Sequence, residues 1–290
     1  MIDKIVLGTV QFGLDYGINN ASGQMTEQEV FKILDLAKKS DILTLDTAAA
    51  YGNAEQRIGN YLSSSIDQNV FRIITKFNLK QGLSAIESLE LSLNRLGVNQ
   101  VDTIMFHSFD DFKNTGASEI DDLLKLKANK FIRLGISLYT NDQINEICDL
   151  DLFEVVQIPF NALDNQALRG EFLEKLKRNN IETHTRSVFL QGLFFMHLDK
   201  IPQKLTPLRH YLARLNEISK EFQVNQAALV LHYALSKRYI DKVLIGVDSL
   251  KQLENNIAML NLTVSNEALE AVDEIKVQDS FLLNPAVWHQ

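Results

Sequence analysis

Short apolar runs alternate with longer amphipathic segments along the whole of the 290-residue chain. The runs have the length and the aliphatic, often branched composition of buried strands. The segments between them repeat apolar residues three and four positions apart, which predicts helices with one buried face. The predicted strands cover residues 4–8, 42–46, 72–76, 101–107, 132–137, 154–158, 182–186 and 242–246.

Helix boundaries are marked at two places. Thr26 and Glu29 have the spacing of a capping box, in which a hydroxyl and a carboxylate bond free backbone amides, so a helix is predicted over residues 26–40. A second amphipathic segment, residues 84–97, ends at Gly97, a residue type that favours the left-handed backbone at a helix C-terminus.

Eight strands that alternate with eight helices predict an α/β fold, a closed (β/α)8 barrel. An open doubly wound sheet would have a glycine-rich fingerprint after its first strand, and GTVQFG at residues 8–13 lacks that spacing. The length suits one domain, so residues 1–290 are expected to form a single barrel. Two of the four prolines fall in residues 197–207, which predicts a loop excursion near 195–207, after the seventh strand.

Composition narrows the classes of partner. The net charge of −8 argues against nucleic acid, because phosphate contacts need basic clusters. A lone cysteine, Cys148, fits a reducing compartment. The N-terminus resembles no signal peptide, and no run of about 18 uncharged apolar residues is present. We therefore expect a cytoplasmic protein without a membrane span, and the sequence leaves its oligomeric state open.

Polar residues fall at the ends of three consecutive predicted strands. Asp46 ends the second, Lys76 the third and His107 the fourth, and Tyr51 follows Asp46 by five residues. The C-terminal ends of barrel strands hold the reactive groups, so these four side chains are expected to meet. Leu43 and Leu45 alternate with polar residues, as strand residues facing a core do. The alanines at 48–50 are interpreted as small residues that leave room for a ligand.

These four residue types form a proton-delivery device. A phenol has a pKa of about 10, and a nearby ammonium is expected to lower it by stabilising the phenolate. Asp46 would keep a buried Lys76 charged, and His107 would orient a carbonyl oxygen or share the proton. Taken singly, each residue has an ordinary structural role: a loop cap, a loop aromatic, an edge lysine and a core histidine.

In this order and spacing, the four residues resemble the catalytic tetrad of the aldo-keto reductase family. The resemblance extends from residues 7–13 to residues 244–256. It implies that NADPH or NADH lies across the barrel mouth, with no metal, and gives hydride to a small-molecule aldehyde or ketone. Tyr51 would be the acid, assisted by Asp46, Lys76 and His107.

The resemblance also implies a set of cofactor-binding residues. Arg186 stands where many members stack a tyrosine on the nicotinamide, and a planar guanidinium also stacks on rings. Leu138 replaces an asparagine that often follows the serine of the carboxamide site. The implied positions are Thr9, Asp46, Ser137 and Gln157 for the nicotinamide end, Ser187, Leu190, Gln191 and Gly192 for the pyrophosphate, and Gly246, Val247, Ser249, Gln252, Asn255 and Asn256 for the adenosine.

Substrate and cofactor preference are less determined. Val10, Asn78 and Ser108 stand where some members have tryptophans, so the pocket that they form with Tyr51 and His107 is expected to be wide and polar. Residues 186–194 resemble a subgroup linked to sugar and surface-polysaccharide metabolism, which favours a sugar-like or hydroxylated carbonyl compound. Asp248 stands where NADPH users often have a cation, so NADH is expected to be at least tolerated.

Other classes fit less well. Metal-dependent barrel hydrolases have paired histidines on the first strand, and the six histidines here lack such ligand spacing. The GxSxG elbow and the phosphate-binding GxxxxGK[ST] loop are absent from the sequence. A cofactor-binding regulatory subunit of the same fold remains the alternative.

Overall fold

The structure is a computed structural model that describes residues 1–18, 23–79, 82–285 and 288. Eight parallel strands within these ranges follow chain order and close into a barrel, because the last strand pairs with the first. The predicted (β/α)8 barrel is confirmed, whereas its extent as one domain stays a prediction. The strands are Ile5–Gly8 (β1), Thr44–Asp46 (β2), Arg72–Lys76 (β3), Val101–Phe106 (β4), Phe131–Ser137 (β5), Val155–Pro159 (β6), Glu182–Arg186 (β7) and Lys242–Gly246 (β8).

Helices surround the barrel, and they outnumber the eight that were predicted. Among the described residues, two α-helices, not one, follow each of β1, β4, β7 and β8. The described residues contain Val10–Gly13 (α1), Glu27–Lys39 (α2), Ala54–Ser64 (α3), Ala85–Leu96 (α4), Phe109–Asn114 (α5), Ala117–Leu124 (α6), Asn141–Cys148 (α7), Gln166–Arg178 (α8), Arg209–Glu221 (α9), Gln226–Ser236 (α10), Leu250–Met259 (α11) and Asn266–Asp273 (α12).

Short 3-10 helices lie before β1, after β7 and after α12. Ile2–Lys4 precedes β1, and Ser280–Leu283 follows α12. The predicted excursion near 195–207 consists of Leu190–Phe195, Leu198–Lys200 and Gln203–Leu208, so it begins earlier than expected.

The helix ends follow the capping chemistry of the sequence. The Thr26 hydroxyl accepts a hydrogen bond from the Glu29 amide, which is one half of the predicted capping box. Ser84 and Glu87 make both hydrogen bonds of a capping box at the start of α4. Gly97, at the end of α4, has φ +67° and ψ 30°, the left-handed conformation that glycine adopts without a Cβ clash.

Two apolar layers form the core. The larger one packs the outer faces of the strands against the helices. The smaller one, the interior apolar layer, fills the barrel with Val6, Ile74, Met105, Val155 and Leu244. Since side chains alternate along a strand, residues two positions later point the same way and reach the mouth of the barrel. The interior apolar layer is thus the floor beneath those mouth residues.

Strand β7 is unusually polar, and the barrel interior explains its sequence. Its alternate residues Glu182, His184 and Arg186 share the inner face. Arg133 bonds Glu182 and Asp102 at 2.5 and 2.6 Å, and the fully buried His184 ring lies 2.7 Å from Glu182. Burial opposes ionisation of Glu182, but His184 and Arg133 outweigh it and hold its pKa at about 2. Ion pairs therefore occupy the N-terminal end of β7, whereas Arg186, at its C-terminal end, reaches the mouth of the barrel.

Strand β2 is shorter than predicted. Leu45 is fully buried, but Leu43 precedes the strand and is 37% exposed. The expectation that both leucines face the core was therefore wrong for Leu43. The apolar run continues to Leu43, whereas its pairing with β3 begins at Thr44.

Helices α3 and α4 meet at Gly59. A Cβ on Gly59 would lie 2.2 Å from the carbonyl oxygen of Arg95, which is backbone and cannot rotate away. The glycine therefore sets the distance between these two helices.

Gly59→Ala should lower the free energy of unfolding by about 1–3 kcal/mol, the usual cost of overpacking, despite the better helix propensity of alanine. Denaturant unfolding measures the change. Gly116→Ala is the control, because a Cβ there meets nothing within 4 Å. Equal stability of the two variants would contradict the close helix contact.

Candidate active site

The four tetrad residues meet at the C-terminal end of the barrel. Asp46 and Lys76 are the last residues of β2 and β3, and His107 directly follows β4. These strands are neighbours in the barrel. Tyr51 lies on the turn between β2 and α3, and all four residues line one cavity. The sequence-based expectation that these side chains come together agrees with this geometry.

A buried ion pair forms the base of the site. The Nζ of Lys76 lies 2.6 Å from Oδ1 of Asp46, and the two residues are only 1% and 2% exposed. Gln157 donates from Nε2 to the other carboxylate oxygen at 2.7 Å, and Lys76 also donates to the carbonyl of Thr47 at 3.1 Å. Both charges are thus compensated by direct partners, which a buried pair requires.

Tyr51 lies between the lysine and the histidine. The Nζ of Lys76 is 5.3 Å from the centroid of the Tyr51 ring. The rings of Tyr51 and His107 meet edge to face, with centroids 5.8 Å apart. The phenol therefore has both a cation and an imidazole close to its ring.

The pKa of Tyr51 differs from the sequence-based expectation. Burial raises it well above its ordinary value of 10, and the negative charge of Asp46 raises it further. Burial also lowers the pKa of Lys76, although Asp46 opposes that change. The expected lowering of the Tyr51 pKa is therefore wrong for the free protein, because burial and the Asp46 carboxylate both raise it. Tyr51 therefore holds its proton at neutral pH in the free protein.

Two glycines position the turn that carries Tyr51. A Cβ on Gly13, at the end of α1, would lie 1.7 Å from the carbonyl oxygen of Tyr51. Gly52 has φ +55°, and a Cβ there would lie 2.3 Å from the Gly13 carbonyl oxygen. The guanidinium of Arg57, on α3, donates to the carbonyl of Phe12, on α1. This hydrogen bond joins α3 to the helix that ends at Gly13. Only glycine permits this backbone contact.

The alanines at 48–50 do not make room for a ligand. Ala48 is buried, and none of the three lines the cavity. The Ala49 amide donates instead to the carbonyl of Lys76, and the Tyr51 amide donates to the carbonyl of Ala48. Small side chains serve a tight turn between β2 and α3 that is hydrogen-bonded to the end of β3.

Glu55 is a residue that the sequence analysis missed. It is 2% exposed, accepts from the Thr75 hydroxyl at 2.7 Å and pairs with Arg95 at 3.3 Å. Thr75 precedes Lys76, so Glu55 ties the start of α3 to the strand that carries the lysine. Its only sequence signal was an acid at the start of a helix.

Most of the implied cofactor positions share the cavity, whose volume is about 830 Å³. Leu190 and Val247 do not line it, because both side chains are buried in the outer apolar layer. Ser249 also lies outside its lining and caps α11 by accepting from the Gln252 amide. The lining includes Thr9, Asp46, Ser137, Gln157, Arg186, Ser187, Gln191, Gly192, Gly246, Gln252, Asn255 and Asn256.

The predicted substrate pocket needs correction. Val10, Tyr51 and His107 line the cavity, but Asn78 and Ser108 are not among its described lining residues. The Ser108 hydroxyl caps α5 by accepting from the backbone amide of Asp111, and the backbone amide of Asn78 donates to the Ser88 hydroxyl. The site is also not uniformly polar. Four aromatic side chains that the sequence analysis missed contribute to its walls: Tyr16, Tyr139, Phe189 and Phe195.

The segment after β7 has a strained backbone. Positive φ angles occur at Ser187 (61°), Leu190 (47°), Gln191 (53°) and Gly192 (83°). Such conformations cost free energy for residues other than glycine and concentrate at functional sites. Leu190 anchors the segment in the core, and the Gln191 amide donates to the Tyr16 hydroxyl at 2.9 Å across the cavity.

Arg186 is held in a defined orientation. Its guanidinium carbon lies 4.1 Å from the centroid of the Tyr139 ring, and Nη2 donates to the carbonyl of Leu138 at 3.1 Å. Among the described residues it has no carboxylate partner. The Leu138 side chain is fully buried and apolar. Only the backbone oxygen of this residue is therefore offered to the site.

Asp248 lies at another part of the cavity wall, after β8. Its carboxylate accepts from Nε2 of Gln11 at 3.3 Å and from Nε2 of Gln252 at 3.1 Å. Lys251, the nearby base in the sequence, pairs with Glu254 at 3.0 Å. Two amides therefore fix the carboxylate, and the lysine has an acidic partner.

Comparison with known proteins identifies the family of the chain. The model of the Aldo/keto reductase family matches residues 4–277, and the chain belongs to that family. An L-glyceraldehyde 3-phosphate reductase of Escherichia coli is 27% identical over 65% of this chain, and the match spans 62% of that relative's length. An NADH-specific methylglyoxal reductase of Escherichia coli is 23% identical over 91% of this chain and 92% of the relative.

Solved structures share the fold. An aldo-keto reductase from Bacillus halodurans, in its holo form, has a TM-score of 0.73 and 19% identity, and the match covers 94% of this chain and 92% of that one. No three histidine, cysteine or acidic side chains cluster as metal ligands in the described ranges. Every helix in the described part of the chain is too short or too polar to cross a bilayer.

Asp46→Asn should lower the free energy of unfolding by about 3–5 kcal/mol, because it leaves the Lys76 ammonium buried without an anion. The double variant Asp46→Asn/Lys76→Met removes both charges and should recover most of that loss. Denaturant unfolding of the single and double variants gives the coupling between the two sites.

Asp248→Asn is the matched control for the unfolding series, since its carboxylate is partly exposed and has only amide partners. Its stability should change by at most about 1 kcal/mol. If Asp46→Asn behaved like this control, the ion pair would not be the constraint described above.

Proposed function

We propose that this chain is a nicotinamide-dependent reductase of aldehydes or ketones. The observation that carries the proposal is the buried Asp46–Lys76 pair with Tyr51 and His107 beside it at one end of a large cavity. A proton donor of this kind needs a hydride source, and the cavity has room for one.

The residues of the cavity suit a nicotinamide dinucleotide. Buried oxygens of Gln11 and Gln191, which line the cavity, lack hydrogen-bond partners in the described structure, so both suit a ligand rich in hydroxyl and amide donors. Gly246 keeps the wall open, because a Cβ there would lie 3.0 Å from the Gln11 amide. The volume of the cavity, about 830 Å³, also falls in the range of small-molecule and cofactor sites.

Different parts of the lining would hold different parts of the cofactor. Nε2 of Gln157 is committed to Asp46, so its Oε1 is left to accept from a carboxamide, with the Ser137 hydroxyl beside it. Arg186 would stack on the ring with the face that Tyr139 does not cover. Gln252 and Asn255, on α11, would hold the adenosine end.

The chain's own residues would manage the proton. A reduced nicotinamide, when bound, supplies the hydride for the carbonyl carbon. Tyr51 donates its phenolic proton to the carbonyl oxygen as negative charge develops there. Lys76 stabilises the resulting phenolate, and Asp46 keeps Lys76 charged. His107, edge-on to Tyr51, orients the carbonyl oxygen.

A small hydroxylated or sugar-like carbonyl compound is the substrate class that we favour. The lining of the cavity combines the hydroxyls of Tyr16 and Tyr139 and the side-chain amide of Gln191 with the rings of Phe189 and Phe195. Such a wall offers hydrogen bonds for substrate hydroxyls and flat apolar surface for carbon–hydrogen faces. The relatives named for glyceraldehyde 3-phosphate and methylglyoxal act on short oxygenated carbonyl compounds, which supports this class.

A cofactor-binding regulatory subunit is the alternative function. It would need the dinucleotide cavity but not a buried lysine beside a phenol, so the contacts of Lys76 with Asp46 and Tyr51 favour an enzyme. Turnover of any carbonyl compound in the presence of NADH or NADPH separates the two functions.

Tyr51→Phe should lower kcat by roughly 10²–10⁴-fold, because the phenyl ring has no proton to donate. Steady-state kinetics measures the loss, and cofactor titration shows whether binding is kept. Tyr139→Phe is the control, since it removes a hydroxyl from the same cavity but not from the tetrad. A Tyr51→Phe variant with more than half of the wild-type kcat would remove Tyr51 from the role of acid.

Cofactor preference depends on Asp248. The carboxylate would repel a 2′-phosphate but accept a hydrogen bond from a free ribose hydroxyl. Gln11 and Gln252 fix it in that orientation, and Lys251 is paired with Glu254. We infer that NADH is at least tolerated as a cofactor.

Asp248→Arg should shift the ratio of kcat/KM toward NADPH by about tenfold or more, equivalent to roughly 1.4 kcal/mol. Kinetics with both cofactors measures the ratio, and Asp248→Asn, which removes repulsion without adding a cation, should give a smaller shift. A wild-type preference for NADPH above a hundredfold would show that this interpretation of Asp248 is wrong.

A further inference from the structure

The cavity has an uncompensated positive charge near Tyr51. Lys76 is neutralised by Asp46 at 2.6 Å, whereas Arg186 has no carboxylate partner in the described structure. The other acidic residue among the described lining residues is Asp248, which follows β8 and is bonded by two glutamine amides. By formal charges, the tetrad and Arg186 together carry +1.

Arg186 is fixed, so its charge acts on one region. Tyr139 covers one face of the guanidinium, and the Leu138 carbonyl accepts from its edge. Gln157 lies on β6, which pairs with β7, and Ser137 ends β5, which pairs with β6; both residues line the same cavity as Arg186. The field reaches the reacting groups: burial dominates the pKa values of Tyr51 and Lys76, but the charge of Arg186 lowers both.

We infer that Arg186 makes the site bind reduced nicotinamide cofactor more tightly than oxidised cofactor. The inference rests on the proposed function. The reduced ring is uncharged, and loss of hydride to the carbonyl carbon leaves a ring of charge +1, while the phenolic proton of Tyr51 passes to the carbonyl oxygen. A fixed cation beside the ring would therefore oppose the oxidised form, favour its release and keep the free enzyme loaded with reduced cofactor.

This role differs from simple stacking. Stacking of the planar guanidinium on a ring strengthens binding of either redox form, whereas the charge separates them. The two effects are distinguished by the ratio of dissociation constants for NAD⁺ and NADH, since a contact common to both forms cancels in that ratio.

The experiment is a titration of the full-length protein with NADH, NAD⁺ and ADP-ribose, followed by calorimetry or fluorescence. Arg186→Gln removes the charge, and Arg186→Lys keeps it. We expect the ratio Kd(NAD⁺)/Kd(NADH) to fall by about tenfold in Arg186→Gln, the order expected for like charges several ångströms apart in a partly screened site. In Arg186→Lys the ratio should stay within about threefold of the wild type.

ADP-ribose, which lacks the nicotinamide, is the control ligand, and its Kd should be the same in all three proteins. An unchanged ratio in Arg186→Gln would overturn the inference while leaving the proposed function intact. Equal weakening of NADH, NAD⁺ and ADP-ribose would overturn it in favour of a contact between Arg186 and the pyrophosphate. If the wild type bound neither nicotinamide cofactor, the proposed function would itself fail. Circular dichroism and Tm verify that the variants are folded.

Discussion

The buried pair of Asp46 and Lys76 is the interaction on which the site depends. Two charges removed from water are tolerated only when each has direct partners, and every partner here comes from another part of the barrel mouth. Gln157 approaches from β6, and the carbonyl of Thr47 approaches from the turn after β2. The pair therefore fixes the relative positions of β2, β3 and β6, and the ammonium that it holds faces Tyr51.

Backbone contacts, and not only side chains, then bring the phenol to this pair. Gly13 and Gly52 touch without room for a Cβ, and Glu55 joins the start of α3 to Thr75. The result is a proton donor on a short, tightly bonded turn whose pKa is raised by burial. A rigid placement of this kind keeps the proton on Tyr51 until negative charge develops nearby.

Much of the architecture was predictable from local sequence, because strands and capped helices have short-range signals. The ends of β3, β7 and β8 agree with the periodicity, and Ser84 with Gly97 bounds α4 as expected. Leu43 was assigned wrongly because burial depends on where a strand begins to pair.

The site was less predictable, because its lining is assembled across the whole chain. Tyr16 and Gln191 are distant in sequence and bond across the cavity, and neither has a local signal for that contact. Ser108 and the alanines near 49 had plausible positions along the chain, but a helix cap and a tight turn use them instead. Spacing therefore located the strand ends, and the structure was needed to decide which side chains face the cavity.

The most direct test of this account is a crystal structure of the protein grown with NADH. We expect the dinucleotide to extend from Gln252 and Asn255 across the mouth of the barrel, with its nicotinamide ring between Arg186 and Tyr51 and its carboxamide against Ser137 and Gln157. Density for the dinucleotide outside the cavity, or with its ring remote from Asp46 and Lys76, would contradict the account.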